Sequence, residues 1–355
     1  MDRSITLDWV QVPLIEPFRI SSGAVAVKDA IVVSYTRGGV TGYGEASPMA
    51  GAFYSSETPE STWAALGALA RAVVRDPQVD LDSVVPGEAF AKAGMVGALV
   101  NHGLRVSGTA LFEWLGAVYR KVPSGVAIGI FDTTDELVER VGRFVAQGYR
   151  RVKVKIQPGW DLDPLSRIRE KFPDVPLMVD ANAAYTIADL PLFREMDRFR
   201  LMMYEQPLGR HDFEQLAELS RTVSTPVCAD ESAESMETLE RMIALKSVKI
   251  VNVKIQRVGG IRNAKRMHDR AQAAGLACWV GTMPELGIAS VEAVHLGTLP
   301  NFVYPTDVEA SARWYTDDIV EPLLDIDAEG YLTPQPLRVS EAKIERYRIK
   351  RAEFR

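Results

Sequence analysis

Five charged residues, Lys155, Asp180, Glu205, Asp230 and Lys254, stand 25, 25, 25 and 24 residues apart. Each ends a short apolar run: RVKVKI, PLMVDAN, RLMMYEQP, PVCADES and KIVNVKI. Amphipathic stretches such as DPLSRIREKF, DFEQLAELSRT and METLERMIALK lie between them. Strand then helix, repeated at one spacing, is the pattern of parallel strands joined by helical crossovers. With SGVAIGI before and LACWVG and NFVYP after, eight strands result. They predict an α/β fold, a modified (β/α)8 TIM-like barrel over residues 119–316. That span is near the short end for the fold, so its helices must be compact or one partly missing.

The flanks read differently. ITLDWVQVPL alternates, and AIVVSYTRGGVTGYGEAS is a hairpin turning at Gly38-Gly39. SETPESTWAALGALARAVV and GALVNHGLRVSGTALFEWLGAVYRK then read as two helical stretches. Residues 1–118 are therefore expected to form an α+β capping domain. The tail, 317–355, returns to strand-and-turn texture and is expected to rejoin it. The first barrel helix, TTDELVERVGRFVAQGY, is expected to start at Thr134.

Composition narrows the function classes. A net charge of −6 without any basic run argues against nucleic acid as a partner. No apolar run reaches the roughly 18 residues of a membrane span, and the N-terminus lacks the apolar core of a signal peptide. Two cysteines, Cys228 and Cys278, suit a reducing compartment, so the expected location is cytoplasmic.

In a barrel the C-terminal strand ends carry the active site. The equal spacing places one charged residue at one expected height on five successive strands. Val152, Val154 and Ile156 then face outward, and Lys153 and Lys155 face inward. Lys155 ends strand two and Lys254 ends strand six, on opposite sides of the mouth. Asp180, Glu205 and Asp230 span the arc between them and would repel one another unless a cation is bound. An all-oxygen set suits a hard ion, Mg2+, with Mn2+ meeting the same ligand logic. The four histidines, His102, His211, His268 and His295, show no zinc-ligand spacing. Such a centre suits removal of the proton α to a substrate carboxylate, the ion stabilising the enolate and the lysines moving the proton. Lys153 is either an assisting cation or a buried ion-pair partner. Asn182 and Glu231 are candidate supports for the metal ligands. Asn252 precedes Lys254 as Lys153 precedes Lys155, and is either in the centre or packing. Arg257 either positions Lys254 or caps the following helix. Glu285 either touches substrate or favours a helix N-terminus. The segments EPFRISSG and GAFYSSE, with Phe18, Ser21, Phe53 and Tyr54, are candidate covers for the mouth.

The set KVK at 153–155, VDAN at 179–182, YEQPL at 204–208, ADES at 229–232 and VNVK at 251–254 resembles the muconate-lactonizing-enzyme subgroup of the enolase superfamily. PFRISSG, FYSSET, KIQPGWD, DANAAYT, VGGIRNAKRMHD and LPNFVYPTDVEASARWYTDDIV are most similar to its o-succinylbenzoate synthase/N-succinylamino acid racemase family. The resemblance implies Asp180, Glu205 and Asp230 as Mg2+ ligands, Lys155 and Lys254 as the acid/base pair, a small carboxylate substrate and a homo-oligomer. Arg257 matches an arginine of the racemase-like members. The helical stretch TALFEWLGAVYRK departs from the family's usual Ala-rich, Asp-containing pattern. Two further stretches also depart from the family: Ile255-Gln256 stands where Pro-Gly is usual, and Gly281-Thr282-Met283-Pro284-Glu285-Leu286 where Gly-Gly-Met-x-Glu-Thr is common. Both alter the substrate side of the pocket. The alternatives are a dipeptide epimerase or cycloisomerase of the same subgroup, or a silent ligand-binding barrel. Such epimerases grip the substrate ammonium through a late acidic motif, which the stretch Asp307 to Glu309 only weakly matches.

Overall fold

The structure, a computed structural model, describes residues 3–20, 23–49 and 55–355. Its first unit is a four-stranded antiparallel sheet. Arg3–Ile20 lies between Gly23–Arg37 and the C-terminal strand Arg348–Phe354, and Val40–Ala46 forms the other edge. The tail thus pairs with the start of the chain, Ile5 opposite Phe354 and Asp8 opposite Arg351. Gly38 and Gly39 make the hairpin turn at φ of 59° and 77°, which glycine adopts without steric cost. Helix Pro59–Arg75 begins at a capping box between Thr58 and Ser61. Helix Ala89–Ser107 packs so closely on Val40–Ala46 that a Cβ at Gly42 or Gly44 would overlap its backbone. The second helical stretch is not continuous: Gly108, at φ 71°, ends it, and a separate turn follows at Leu111–Trp114.

The second unit is a curled sheet of seven parallel strands in sequential order: Val126–Ile128, Val152–Lys155, Leu177–Asp180, Tyr204–Glu205, Val227–Ala229, Ile250–Val253 and Ala277–Val280. The expected eighth strand, NFVYP, forms only an isolated bridge, Cys278 with Phe302, and the next residue, Thr306, bridges Ser124. Pro300 and Pro305 carry no N–H, which prevents a continuous ladder. Residues 301–307 nevertheless bond both sheet edges: Asp307 N–H donates to Val280 O (2.9 Å), and Gly125 N–H to Thr306 O (2.8 Å). Helices pack outside the sheet, where Val152, Val154 and Ile156 meet Leu137, Val141, Leu165 and Ile168 in one apolar cluster. The first helix runs from Thr134, but the residue that caps it is the preceding Thr133, whose hydroxyl accepts from Glu136 N–H. Inside the curl sits a separate cluster of Met178, Met203, Cys228, Ile250 and Trp279. Among the described residues no helix is long and apolar enough to cross a membrane.

Candidate active site

Side chains two residues beyond that inner cluster point the same way and are charged. Asp180 follows Met178, Glu205 follows Met203, and Asp230 follows Cys228, all three carboxylates being buried. The inward face of the second strand runs Arg151, Lys153, Lys155. The expected equal height does not hold. Lys155 pairs with Asp180 and Asp180 with Glu205, but Glu205 pairs with Cys228, two residues short of Asp230. Extending the pairing of Val251 with Ala229 sets Asn252, not Lys254, beside Asp230. The charged ring therefore climbs around the sheet, as strand stagger in a curled sheet requires.

Lys155 and Lys254 stand four strands apart in the sheet. Lys155 Nζ donates to Asp180 Oδ2 (3.2 Å) and to Asn182 Oδ1. Asn182 N–H returns to Asp180 Oδ1 (3.0 Å), and its amide donates to Glu231 Oε1 (3.3 Å). Asn182, Ala183 and Gln206 all hold positive φ just past their strands, local strain of the kind stored at functional sites. Opposite, Lys254 Nζ donates to Asp230 Oδ2 (2.9 Å). Burial pushes the Lys254 ammonium down, but the Asp230 and Glu205 carboxylates together outweigh it and leave it above the usual lysine range.

Asp230 also has an arginine partner. Arg257 donates to Asp230 Oδ1 (2.5 Å), to Asn252 O (2.7 Å) and to Ala233 O (3.2 Å). Its guanidinium is thus committed to the Asp230 carboxylate and two loop carbonyls rather than to capping a helix. Burial works against ionisation of Asp230, and Lys254 and Arg257 overcome it, holding the carboxyl well below its usual range.

Lys153 enters a buried ion cluster. Its Nζ lies 2.5 Å from Asp307, 3.3 Å from Glu205 and 3.8 Å from Asp180. Arg151 takes the other Asp307 oxygen at 2.7 Å, and both cations lie over the Trp279 ring. Asp307, Arg151 and Trp279 escape a reading of strand ends alone. The inward parity of 151, 153 and 155 was the available signal for Arg151.

Glu205 is pushed up to about 8 by burial and by the neighbouring Asp180 charge, and Glu231 up to about 7 by burial and Asp230. Asn252 donates to Glu205 Oε1 (2.9 Å), which places it in the centre. Glu205 Oε2, Glu231 Oε2, Asn252 Oδ1 and Glu285 Oε2 are buried without hydrogen bonds. Glu285 accepts from Met283 N–H (3.2 Å), and burial and Glu45 push it up to about 8. Among the described residues no three acidic, His or Cys side chains already converge as a metal cage. The carboxylates turn instead to ammonium and guanidinium partners. Even so, buried oxygens without hydrogen bonds, and no nitrogen or sulfur donor among the carboxylates, fit a hard divalent cation.

A cavity of about 610 Å3 opens here, lined by Asp230, Glu231, Lys254, Arg257, Met283 and the cap residue Glu57. Glu57 accepts from the N–H groups of Ala89 and Phe90 (3.0 and 2.9 Å), tying the capping helix to the rim. The departing residue Gln256 joins the two units, donating to Glu45 O (2.9 Å) and accepting from Ser47 N–H (3.0 Å). The side chain of Phe18 and the residues Ser21, Phe53 and Tyr54 lie outside the described residues.

Residues 136–336 match the family described as Enolase C-terminal domain-like. An N-succinylamino acid racemase from Amycolatopsis is 39% identical over 328 residues, 90% of this chain and 89% of that protein. An o-succinylbenzoate synthase from Geobacillus kaustophilus is 38% identical over 331 residues, 91% of this chain and 88% of that protein. The solved structure of an enolase-superfamily member from Listeria innocua superposes with a TM-score of 0.94 at 28% identity, covering 99% of this chain and 98% of that one.

Proposed function

The chain belongs to the enolase superfamily, and from that membership and its opposed lysines we propose that it removes the proton α to a substrate carboxylate. The activity is that of an N-succinylamino acid racemase, an o-succinylbenzoate synthase or both. The observation that carries the reading is the pair Lys155 and Lys254, four strands apart, each bonded to a carboxylate of the arc between them. Asp180, Glu205 and Asp230 would hold Mg2+, or Mn2+ in its place, which when bound supplies positive charge for the substrate carboxylate.

This chain's residues do the proton work. Lys155 and Lys254 address the α-carbon from opposite sides. One takes the proton, and the other returns one in racemisation or steadies the developing negative charge in dehydration. Asn182 orients Lys155, and Arg257 fixes the carboxylate to which Lys254 is bonded. Lys153, held by Asp307, stays charged and offsets Glu205 and Asp180.

An acylated amino group fits better than a free ammonium. Asp307 is taken up by Arg151 and Lys153, while Glu309 accepts from Ala127 N–H (2.8 Å) and faces Arg313 (3.4 Å). Neither carboxylate of that late acidic stretch is turned to a substrate ammonium, which weighs against the dipeptide epimerase reading. The same reading closes the seven strands into a modified barrel through 301–307, capped by 1–118 and 317–355, in a cytoplasmic homo-oligomer.

The test is incubation with N-succinyl amino acids and Mg2+ in D2O, following the α-proton by NMR. Exchange with appearance of the opposite enantiomer is expected. Absence of exchange across a panel of N-acyl amino acids, together with no dehydration activity, would overturn the proposal.

A further inference from the structure

A second cavity, of about 350 Å3, lies between the capping helix Ala89–Ser107, the helix Gly287–Leu296 and the segment 334–337. Neither lysine of the pair and none of the three carboxylates lines it. Val100, Leu104, Leu111, Phe112, Ile288 and Val291 give it mostly apolar walls, and its size is within the range of small-molecule sites.

Polar groups of Tyr43, Glu45, Asn101, Arg105 and Thr109 also reach the wall, and two more, Glu292 and His295, stand three positions apart on one helix and so on one face. Among the described residues the Glu292 carboxyl has no hydrogen-bond or ion-pair partner, and the carboxyl nearest to it in effect is Glu45, another acid. Glu45 itself is satisfied by the N–H groups of Leu286 and Ala289 (2.8 and 2.9 Å). His295 Nε2 lies 2.9 Å from Gln335 O. A carbonyl oxygen only accepts, so Nε2 carries the hydrogen and Nδ1 presents a lone pair. That Nδ1 is buried without a partner, and Phe112 stacks on the ring.

A cavity wall needed only for packing would gain nothing from a buried, unpartnered imidazole nitrogen, which is costly to leave unpaired, beside a half-buried carboxyl without a partner. Both groups are acceptors, Glu292 once ionised. What satisfies two acceptors at once, one of them able to carry negative charge, is a multi-hydrogen cationic donor. We propose that this cavity binds a small apolar amine, its ammonium held by Glu292 and His295 Nδ1 and its hydrocarbon body against Val100, Leu111 and Val291. Arg105, exposed at the rim with its guanidinium over Tyr43 (5.9 Å), leaves such an amine to enter body-last, the cationic end deepest.

The test titrates the full chain, with Mg2+ present, with 2-phenylethylamine and separately with its neutral isostere 2-phenylethanol, by calorimetry. Saturable one-to-one amine binding is expected, at least about tenfold weaker for the alcohol and at least about tenfold weaker in Glu292→Gln. Lys254→Ala should leave amine binding unchanged, which separates this cavity from the lysine centre. Equal amine binding in Glu292→Gln and the parent, loss of binding in Lys254→Ala, or no saturation at all would each overturn the proposal. If Glu292→Gln does not fold, a crystal soaked with 4-bromophenylethylamine decides. Bromine density beside Val100 and Val291 supports the site, and bromine only between the lysines refutes it.

Discussion

Lys153 Nζ lies 2.5 Å from Asp307, a buried ion pair closed across 154 residues of chain. Burial alone would push this ammonium down, but Asp307, Glu205 and Asp180 together hold it well above the usual lysine range. Lys153 is thus a fixed positive charge below Lys155 on the same strand face, and the proposed proton work does not fall to it. Arg151 shares the same carboxylate at 2.7 Å, so Asp307 neutralises two buried cations at once. Removing that charge in Asp307→Asn should lower unfolding stability by about 3–5 kcal/mol, measured by urea denaturation, because both cations would stay buried. Adding Lys153→Met should recover part of the loss. An Asp307→Asn protein of unchanged stability would refute the account.

The lysines of the pair should fail differently. On the proposed reading each addresses one side of the α-carbon, so Lys155→Ala should slow deuterium exchange of one N-acyl amino acid enantiomer and Lys254→Ala that of the other. The affected exchange should fall by about 10²–10⁴-fold, the usual share of a positioned acid or base. Racemisation needs both and should vanish in either variant. NMR of each enantiomer in D2O gives the readout, and loss of both exchanges in both variants would show that the two lysines act as one unit.

In the proposed metal centre Arg257 acts through Asp230. Without its guanidinium, Asp230 keeps only Lys254 as a close cation and loses the hydrogen bond that fixes its second oxygen. Arg257→Ala should weaken divalent-ion binding by about 10–100-fold, the usual effect of losing a group that orients a metal ligand. Calorimetric titration with Mn2+ measures this without any turnover. Unchanged affinity would assign Arg257 to loop structure through Asn252 O and Ala233 O alone.

The strand-end ladder was readable because 25-residue spacing and period-two alternation both follow from local geometry. The KVK run shows its limit. Parity alone put Lys153 and Lys155 on the inner face, but their different fates depend on Asp307, which only the fold brings to Lys153. Height failed for a similar reason: the pairing of Glu205 with Cys228 depends on sheet stagger, which no single strand encodes. Pro305 could have warned that NFVYP would not pair as a full strand. The role of Gln256 was invisible, because its partners Glu45 and Ser47 lie more than 200 residues away.

Gln256 stands where the family usually has glycine, and here it uses both ends of its amide between the units. Gln256→Ala leaves Ser47 N–H and Glu45 O buried without that partner. A loss of about 1–3 kcal/mol in urea denaturation is expected, the cost of stranding buried polar groups. Gln256→Glu should be worse than Gln256→Asn, because a carboxylate cannot donate to Glu45 O. The reverse order would mean that shape, not hydrogen bonding, governs this junction.

Glu292 ties stability to pH. Burial and the neighbouring Glu45 carboxylate raise it from 4.5 to about 8. Between those values the folded chain keeps a proton that the unfolded chain has released. The folded state therefore binds more protons there, and this group's contribution to stability is lost as pH rises. Glutamine keeps the shape of the protonated carboxyl and has no proton to lose. Thermal unfolding of Glu292→Gln and the parent should nearly coincide at about pH 5, with the variant increasingly the more stable toward pH 8. Glu285 and Lys28, whose pKa values burial also moves to about 8, are common to both proteins and cancel in the difference. A difference in Tm that does not change with pH would show that Glu292 is solvated through its cavity and ionises as an ordinary surface glutamate does.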